Sequence, residues 1–276
     1  MIHTLNCNGR LLVIDQPVVM GIINVNEDSF YRGSRKTDIY DILSMAKSML
    51  DDGASILDIG AMSSRPGAKM IDEEVEINRI VTAVKSISDS YPSAIISVDT
   101  FRSKVAYEAV QAGASIINDI SSGTFDTEML KVVSSLNVPY ILMHMQGQPE
   151  TMQINPIYHD VVMEITQFFV SKIKQARNAG ITDIIIDPGF GFGKTLEHNY
   201  TLLKHLEVFQ IFDLPVLAGI SRKSMVWKQL DTNPEHALNG TTALHMYALL
   251  KGADILRVHD VKAAAECIAL FKKLAC

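Results

Sequence analysis

Eight short apolar runs recur along the chain, and each gives way to a polar or glycine-rich cluster. They fall at residues 18–25, 55–59, 94–99, 115–119, 140–143, 183–187, 216–219 and 255–258. Their apolar character is nearly continuous rather than alternating, which is how strands covered on both faces read. Between them the spacing turns helical. Ile39, Ile42, Leu43, Ala46, Met49 and Leu50 share one face, with Thr37 as the expected N-cap and Gly53 as the stop. Val161, Val162, Ile165, Phe168, Phe169, Ile173 and Ala176 share another, closed by Gly180. Similar faces lie in 74–88, 103–112, 127–136 and 261–274.

Strand and helix alternate eight times without a low-complexity linker, which predicts an α/β chain folded as a single (β/α)8 TIM barrel, one domain over 1–276. The segment before Pro17 reads as a short N-terminal hairpin around Asn8-Gly9 that plugs the barrel bottom. Composition narrows the class further. The net charge of −6, from 31 acidic and 25 basic residues, gives no electrostatic reason to expect nucleic-acid binding, so an anionic ligand needs a local basic site. Cys7, Cys267 and Cys276 are scattered without metal or redox spacing, which predicts reduced thiols in a cytoplasmic protein. The first residues lack the basic start and apolar stretch of a signal peptide. No apolar run approaches the roughly 18 residues of a membrane span.

In such a barrel, chemistry gathers at the C-terminal ends of the strands. The eight runs end in Asn24, Asp58, Asp99-Thr100, Asn118-Asp119, His144, Asp187, the stretch Gly219-Ile220-Ser221-Arg222-Lys223, and Arg257-Val258-His259-Asp260. Any one of these polar endings serves equally well as a helix cap. Eight of them at one mouth form a polar substrate site. Asp99, Asn118 and Asp187 offer acceptors and an amide, and Lys223 a compact donor, the mixture that a flat amino-oxo heterocycle requires. Arg257 has a planar guanidinium suited to stacking on such a ring. Ser221, Arg222 and Lys223 follow the seventh run and Arg257 and His259 close the eighth, where this fold binds phosphate. Gly189–Thr195 imitates a nucleotide P-loop, but the first glycine of that pattern falls on Pro188. The glycines instead let backbone approach a ligand and bring Phe190 into the pocket. His144 and His159 have no carboxylate or cysteine at ligand spacing and read as structural.

The motifs around Met20–Val25, Asp28-Ser29-Phe30, Asp58-Ile59-Gly60, Ser64-Arg65-Pro66-Gly67, Ser97–Thr100, Ile117–Asp119, Asp187–Lys194, Gly219–Ser224 and Arg257–Val261 resemble, in order, those of the dihydropteroate synthase family. The resemblance implies a transferase of folate biosynthesis. It would join 6-hydroxymethyl-7,8-dihydropterin diphosphate to p-aminobenzoate, with Asp99, Asp187, Lys223, Arg257 and His259 as catalytic residues. It implies that Asp99, Asn118, Asp187 and Lys223 hold the pterin with Arg257 stacked on it. Asn24, Arg65, Arg257 and His259 would hold the diphosphate, with Asn24 also approaching Mg²⁺. Phe30, Ser64, Phe190 and Ser221 would surround p-aminobenzoate, a subsite for which sulfonamides would compete. A homodimer is implied as well; Ile268 and Phe271, near the end of the chain, are candidate interface positions, which ordinary packing against the barrel explains equally well.

Two loops depart from the family pattern. Asn26-Glu27 stands where the family has Thr-Pro, removing a φ restraint and adding a charge near the expected diphosphate. Ala61, Met62 and Ser64 stand where it has Gly, Glu and Thr; Ser64 keeps the hydroxyl, and Met62 is either an ordinary surface change or a reshaped acceptor subsite. These changes bear on acceptor handling rather than on the pterin pocket. They are the support for one alternative, a non-catalytic pterin-binding paralogue. A methyltetrahydrofolate:corrinoid methyltransferase shares the Asp and Asn endings but not the Ser-Arg-Lys and Arg-Val-His elements. A sugar-phosphate lyase or isomerase accounts for the phosphate loops but not for the heterocycle set.

Overall fold

The computed structural model describes residues 2–25, 35–61, 70–148 and 151–274. Two strands, β1 (His3–Cys7) and β2 (Arg10–Ile14), pair antiparallel around Asn8 and Gly9, whose φ values of 53° and 82° give the doubly left-handed turn that suits strand twist. Eight parallel strands follow: β3 (Val18–Asn24), β4 (Ile56–Gly60), β5 (Ile95–Asp99), β6 (Ile116–Asp119), β7 (Tyr140–Met143), β8 (Ile184–Asp187), β9 (Leu217–Ala218) and β10 (Ile255–Val258). Neighbours pair in the order β8-β7-β6-β5-β4-β3-β10-β9, and a parallel bridge between Ile186 and Val216 joins the two ends. The eight-stranded barrel read from the apolar runs is present.

Helices α1 (Arg35–Asp51), α2 (Glu73–Ser90), α3 (Ser103–Gln111), α4 (Met129–Leu136), α5 (Val161–Asn178), α6 (Leu196–Lys204), α7 (Ser224–Trp227), α8 (Leu238–Leu250) and α9 (Val261–Leu274) surround the sheet. Asp72 and Asp160 cap α2 and α5 through their carboxylates, and Thr195 forms a capping box with His198 at α6. Helix α1 begins at Arg35, so Thr37 lies within it and is not the cap that the sequence suggested. Gly53 does end it, at φ 100°. Strand β9 is shorter than residues 216–219. Val216 gives its N–H to the Asp254 carboxylate at 2.9 Å, and its carbonyl accepts from the N–H groups of Asp254 and Ile255, which ties the strand in by fewer ladder bonds.

Side chains alternate along each strand, so every second residue points into the barrel. The lowest inward layer is apolar: Met20, Ile56, Ile116, Ile141, Ile185, Leu217 and Ile255, with Val18 and Ile95 against it. The hairpin covers this layer from below with Leu5, Cys7, Leu12 and Ile14. Polar ties at its rim fix its seat: the Asn6 N–H donates to Asp183 at 2.8 Å and Arg10 donates to the Ala94 carbonyl at 2.7 Å. The hairpin therefore seals the bottom and leaves the top as the open end. Leu5→Ala should cost about 2–4 kcal/mol through the cavity it leaves, whereas Leu11→Ala, on the 70% exposed side of β2, should change stability by less than about 0.5 kcal/mol. Urea denaturation of the two variants checks this, and equal losses would contradict the plug.

Candidate active site

One inward step above the apolar layer, the residue types change. Asp58, Ser97, Asn118, Asp187, Gly219 and Arg257 stand there, each two residues beyond an apolar floor position, and a further step brings Asn24, Gly60 and Asp99. Gly60 pairs with Asp99 across β4 and β5, and a side chain at Gly60 would press at 3.4 Å on the Asp99 Cβ. The missing side chain gives Asp99 room to lean toward the barrel axis.

Arg257 is the centre of this layer. Its Nε donates to Asp58 Oδ2 at 2.6 Å and its Nη2 donates to Asp99 Oδ2 at 2.8 Å. Asn118 donates to the same Asp58 oxygen at 3.2 Å. Asp58 Oδ1 and Ser97 Oγ, on paired residues of β4 and β5, are buried without a hydrogen-bond partner among the described residues. They are unused hydrogen-bonding oxygens in the floor of a polar pocket. Burial pushes the Asp99 carboxyl up to about 7, with Arg257 working against the rise and Asp58 adding to it. Burial likewise raises Asp187, opposed by Lys223. For Arg257, burial disfavours the charge, but Asp58 and Asp99 outweigh it and hold the guanidinium well above its ordinary value.

Lys223 completes the pocket from the β9 side. Its Nζ donates to the Phe190 carbonyl at 2.5 Å and lies 4.7 Å from the centre of the Phe192 ring. Its stem crosses Gly191, where an added Cβ would sit 3.2 Å from Lys223 Cδ. Burial lowers its ammonium to about 8, with Asp187 resisting.

The glycine-rich stretch between β8 and α6 owes its shape to Lys194. That side chain is buried, and its Nζ donates to the carbonyls of Gly189 at 2.9 Å and Phe192 at 3.0 Å and meets His144 Nδ1 at 3.0 Å. The lysine that imitates a P-loop is a clamp on its own loop. Gly189, at φ 71°, lies where a Cβ would sit 1.9 Å from the His144 carbonyl oxygen, so only glycine fits. His144, buried against Lys194 and edge-on to Phe168, is structural as expected, with burial pushing its ring down to about 2.

The structure corrects one expected ring. Phe190 does not enter the pocket; it is fully buried in the apolar layer between sheet and helices, and only its carbonyl serves the mouth. Phe192, two residues on, packs with Phe101, Ile120, Met143 and Met152 at the mouth and faces the Lys223 ammonium. Left-handed turns at Gly189, Gly191 and Gly193 decide which ring turns inward, and no local pattern in the sequence separates the two. Asp58 is the other functional residue without an assigned role in the sequence reading. Its signal was its place in the same two-residue frame as Arg257.

After β9 and β10, Ser221 accepts from the His259 N–H at 3.2 Å, and its hydroxyl lies 3.1 Å from His259 Nδ1. Arg222 does not face the pocket as a phosphate ligand; its guanidinium forks onto Asp260. Asn24 is exposed at the end of β3. Phe30, Ser64, Arg65 and the altered positions Asn26, Glu27 and Met62 lie outside the described residues. Among the described residues, no three or more His, Cys, Asp or Glu side chains cluster as a metal cage, and no helix is long and apolar enough to cross a membrane.

This polar layer, roofed by cations at the C-terminal mouth of a parallel barrel, accompanies a family likeness. The sequence profile of the pterin binding enzymes matches residues 20–259, so fold and site define a pterin-binding barrel enzyme. Dihydropteroate synthase of Escherichia coli K12 is 42% identical over 262 residues, covering 94% of this chain and 92% of its own. The Synechocystis synthase is 42% identical over 90% of this chain and 86% of its own. Among solved structures, the Yersinia pestis dihydropteroate synthase in complex with a sulfonamide drug superposes with a TM-score of 0.93 at 40% identity, covering 99% of each chain. The Xanthomonas albilineans synthase in complex with 7,8-dihydropteroate superposes with a TM-score of 0.87 at 36% identity, covering 99% of this chain and 98% of its own. The chain belongs to the dihydropteroate synthase family, transferases of folate biosynthesis.

Removing the central cation should expose its role. Arg257→Met leaves Asp58 and Asp99 facing each other and should cost about 3–5 kcal/mol of stability at pH 8. The loss should shrink at pH 5, where Asp99 is protonated in the wild type as well. Urea denaturation at the two pH values measures this, and a pH-independent loss would contradict it.

Proposed function

We propose that the barrel mouth condenses 6-hydroxymethyl-7,8-dihydropterin diphosphate with p-aminobenzoate, releasing pyrophosphate and 7,8-dihydropteroate. The convergence of Asp58, Asp99, Asn118, Asp187 and Arg257 in two stacked inward layers, with Lys223 closing the side, carries this reading. It supplies acceptors for the amino and ring N–H groups of a pterin and donors for its oxo and ring nitrogen atoms. Arg257 has its guanidinium edge on two carboxylates, so its face is the part that stacks on the ring. On this reading Asn24, Arg65 and His259 join Arg257 at the diphosphate. By the same reading, p-aminobenzoate binding falls to Phe192, rather than Phe190, together with Phe30, Ser64 and Ser221.

In the reaction, the bond between the pterin methylene and the diphosphate oxygen breaks, and the electron pair leaves with pyrophosphate. The aniline nitrogen donates its lone pair to the methylene carbon and then loses a proton to solvent. Positive charge that develops on the methylene spreads into the pterin ring, where Asp99 and Asp187 stabilise it. Negative charge on the leaving group meets Arg257 and His259. The aniline is neutral and weakly nucleophilic, so alignment matters more than deprotonation. No protein nucleophile is needed.

Mg²⁺ fits this arrangement as an ion carried with the diphosphate. The exposed Asn24 amide would offer it one oxygen at the diphosphate end. When bound it neutralises charge on the leaving group. A cytoplasmic location and a homodimer complete the proposal. Ile268 is buried in the core and Phe271 packs partly against it, which supports ordinary packing for both. Leu238, Tyr247, Leu250, Leu270 and Leu274 are exposed large apolar side chains of α8 and α9.

The test is turnover. With pterin diphosphate, p-aminobenzoate and Mg²⁺, pyrophosphate and dihydropteroate should form in equal amounts, and chelation should stop both. Asp99→Asn and Lys223→Ala should each lower kcat/KM by about 10²-fold or more, as loss of a charge-assisted contact to the reacting ring requires. Pterin diphosphate binding without either product would overturn the proposal and leave a binding paralogue.

A further inference from the structure

Between Ser221 and Lys223 stands a cation that turns away from the pocket. Arg222 adopts φ 53°, a left-handed backbone that is strained for a residue with a Cβ. Three elements hold it there. Its N–H donates to Thr241 Oγ1 of α8 at 3.2 Å. Its Nε and Nη2 donate to the two carboxylate oxygens of Asp260 at 2.8 and 2.7 Å, and its Nη1 donates to the Pro234 carbonyl at 3.4 Å.

Asp260 directly follows His259, and Arg222 directly follows Ser221. Two consecutive residues after β9 therefore grip two consecutive residues after β10: Ser221 meets His259 through its hydroxyl, and Arg222 meets Asp260 through a fork. A forked pair fixes orientation as well as distance, which a lysine in its place cannot do. Lys223 does not depend on this clamp, because the Phe190 carbonyl, the Phe192 ring and the Asp187 charge already hold it.

We infer that Arg222 and Asp260 are positioning residues that aim His259 at the diphosphate end of the substrate without touching the substrate themselves. This rests on the proposed role of His259. It separates two functions within one motif: Lys223 serves the heterocycle, and Arg222 sets the leaving-group side. The strained backbone at Arg222 lets consecutive side chains diverge, one into the pocket and one onto the neighbouring loop.

Calorimetric titration of the full-length enzyme tests this, using 6-hydroxymethyl-7,8-dihydropterin with and without its diphosphate, in Mg²⁺ and without p-aminobenzoate. Arg222→Lys and Asp260→Asn should each weaken the diphosphate ligand by about tenfold, a loss on the scale of one charge-assisted contact. Affinity for the unphosphorylated pterin should change by less than about threefold, because the carboxylate layer is unaltered. In a His259→Ala background, Arg222→Lys should add almost nothing, since both act through one group. Circular dichroism and melting curves confirm that each variant is folded. If His259→Ala itself leaves diphosphate affinity intact, the role of His259 falls. The positioning inference falls on its own if His259→Ala weakens the diphosphate ligand while Arg222→Lys and Asp260→Asn do not. It falls equally if those two variants weaken both ligands alike, or if their effects add fully to His259→Ala.

Discussion

Arg257 holds two carboxylates from neighbouring strands inside the barrel mouth, and the rest of the site is arranged around that contact. Asp58 and Asp99 would repel each other in a space from which water is largely excluded. The guanidinium between them makes their proximity tolerable and fixes both rotamers, at a desolvation cost that burial imposes on Asp99 and Arg257. Such a triad contributes little net stability compared with an apolar filling, but it gives the pocket a defined charge and shape. Gly60 provides the space, Asn118 braces Asp58, and Lys223 balances Asp187 on the opposite side.

The fold makes this contact possible because the bottom of the barrel is closed separately. The hairpin of β1 and β2 completes the apolar layer, so the inward residues above it need not be apolar. The switch from Ile56, Ile116, Ile185 and Ile255 to Asp58, Asn118, Asp187 and Arg257 takes one step of two residues on each strand. Stability is concentrated below that boundary and binding chemistry above it. The glycine loop held by Lys194 and the paired loops held by Arg222 and Asp260 are the side walls of the same chamber.

Much of this was legible before the structure. The run Tyr140–Met143 is apolar throughout because both faces of the sheet are covered, and Ile255–Val258 is broken only by Arg257, so the strands and the polar mouth followed from the sequence. Other features depend on tertiary geometry that leaves no local trace. Helix α8 carries apolar residues around its whole circumference, so it has no stripe to announce it. Phe190 and Phe192 are equivalent in the sequence and part only through the turns at Gly189, Gly191 and Gly193. Asp58 reads like any strand-end carboxylate until Arg257, 199 residues away, reaches it. Arg222 reads as a phosphate ligand until its left-handed backbone turns it onto Asp260.

The central claim is that the pterin binds against an Asp99 whose carboxyl burial has pushed up to about 7. In the empty enzyme near pH 6.5, Asp99 then carries a proton in a substantial part of the molecules. A ring N–H that donates to the carboxylate favours its ionised form, so binding must drive that proton off, and affinity must rise with pH until Asp99 is ionised. Calorimetric titration of 6-hydroxymethyl-7,8-dihydropterin at pH 6.5, in two buffers of different ionisation enthalpy, counts the protons exchanged. The account predicts net proton release on pterin binding, abolished in Asp99→Asn. No proton exchange, or the same release from Asp99→Asn, would contradict it.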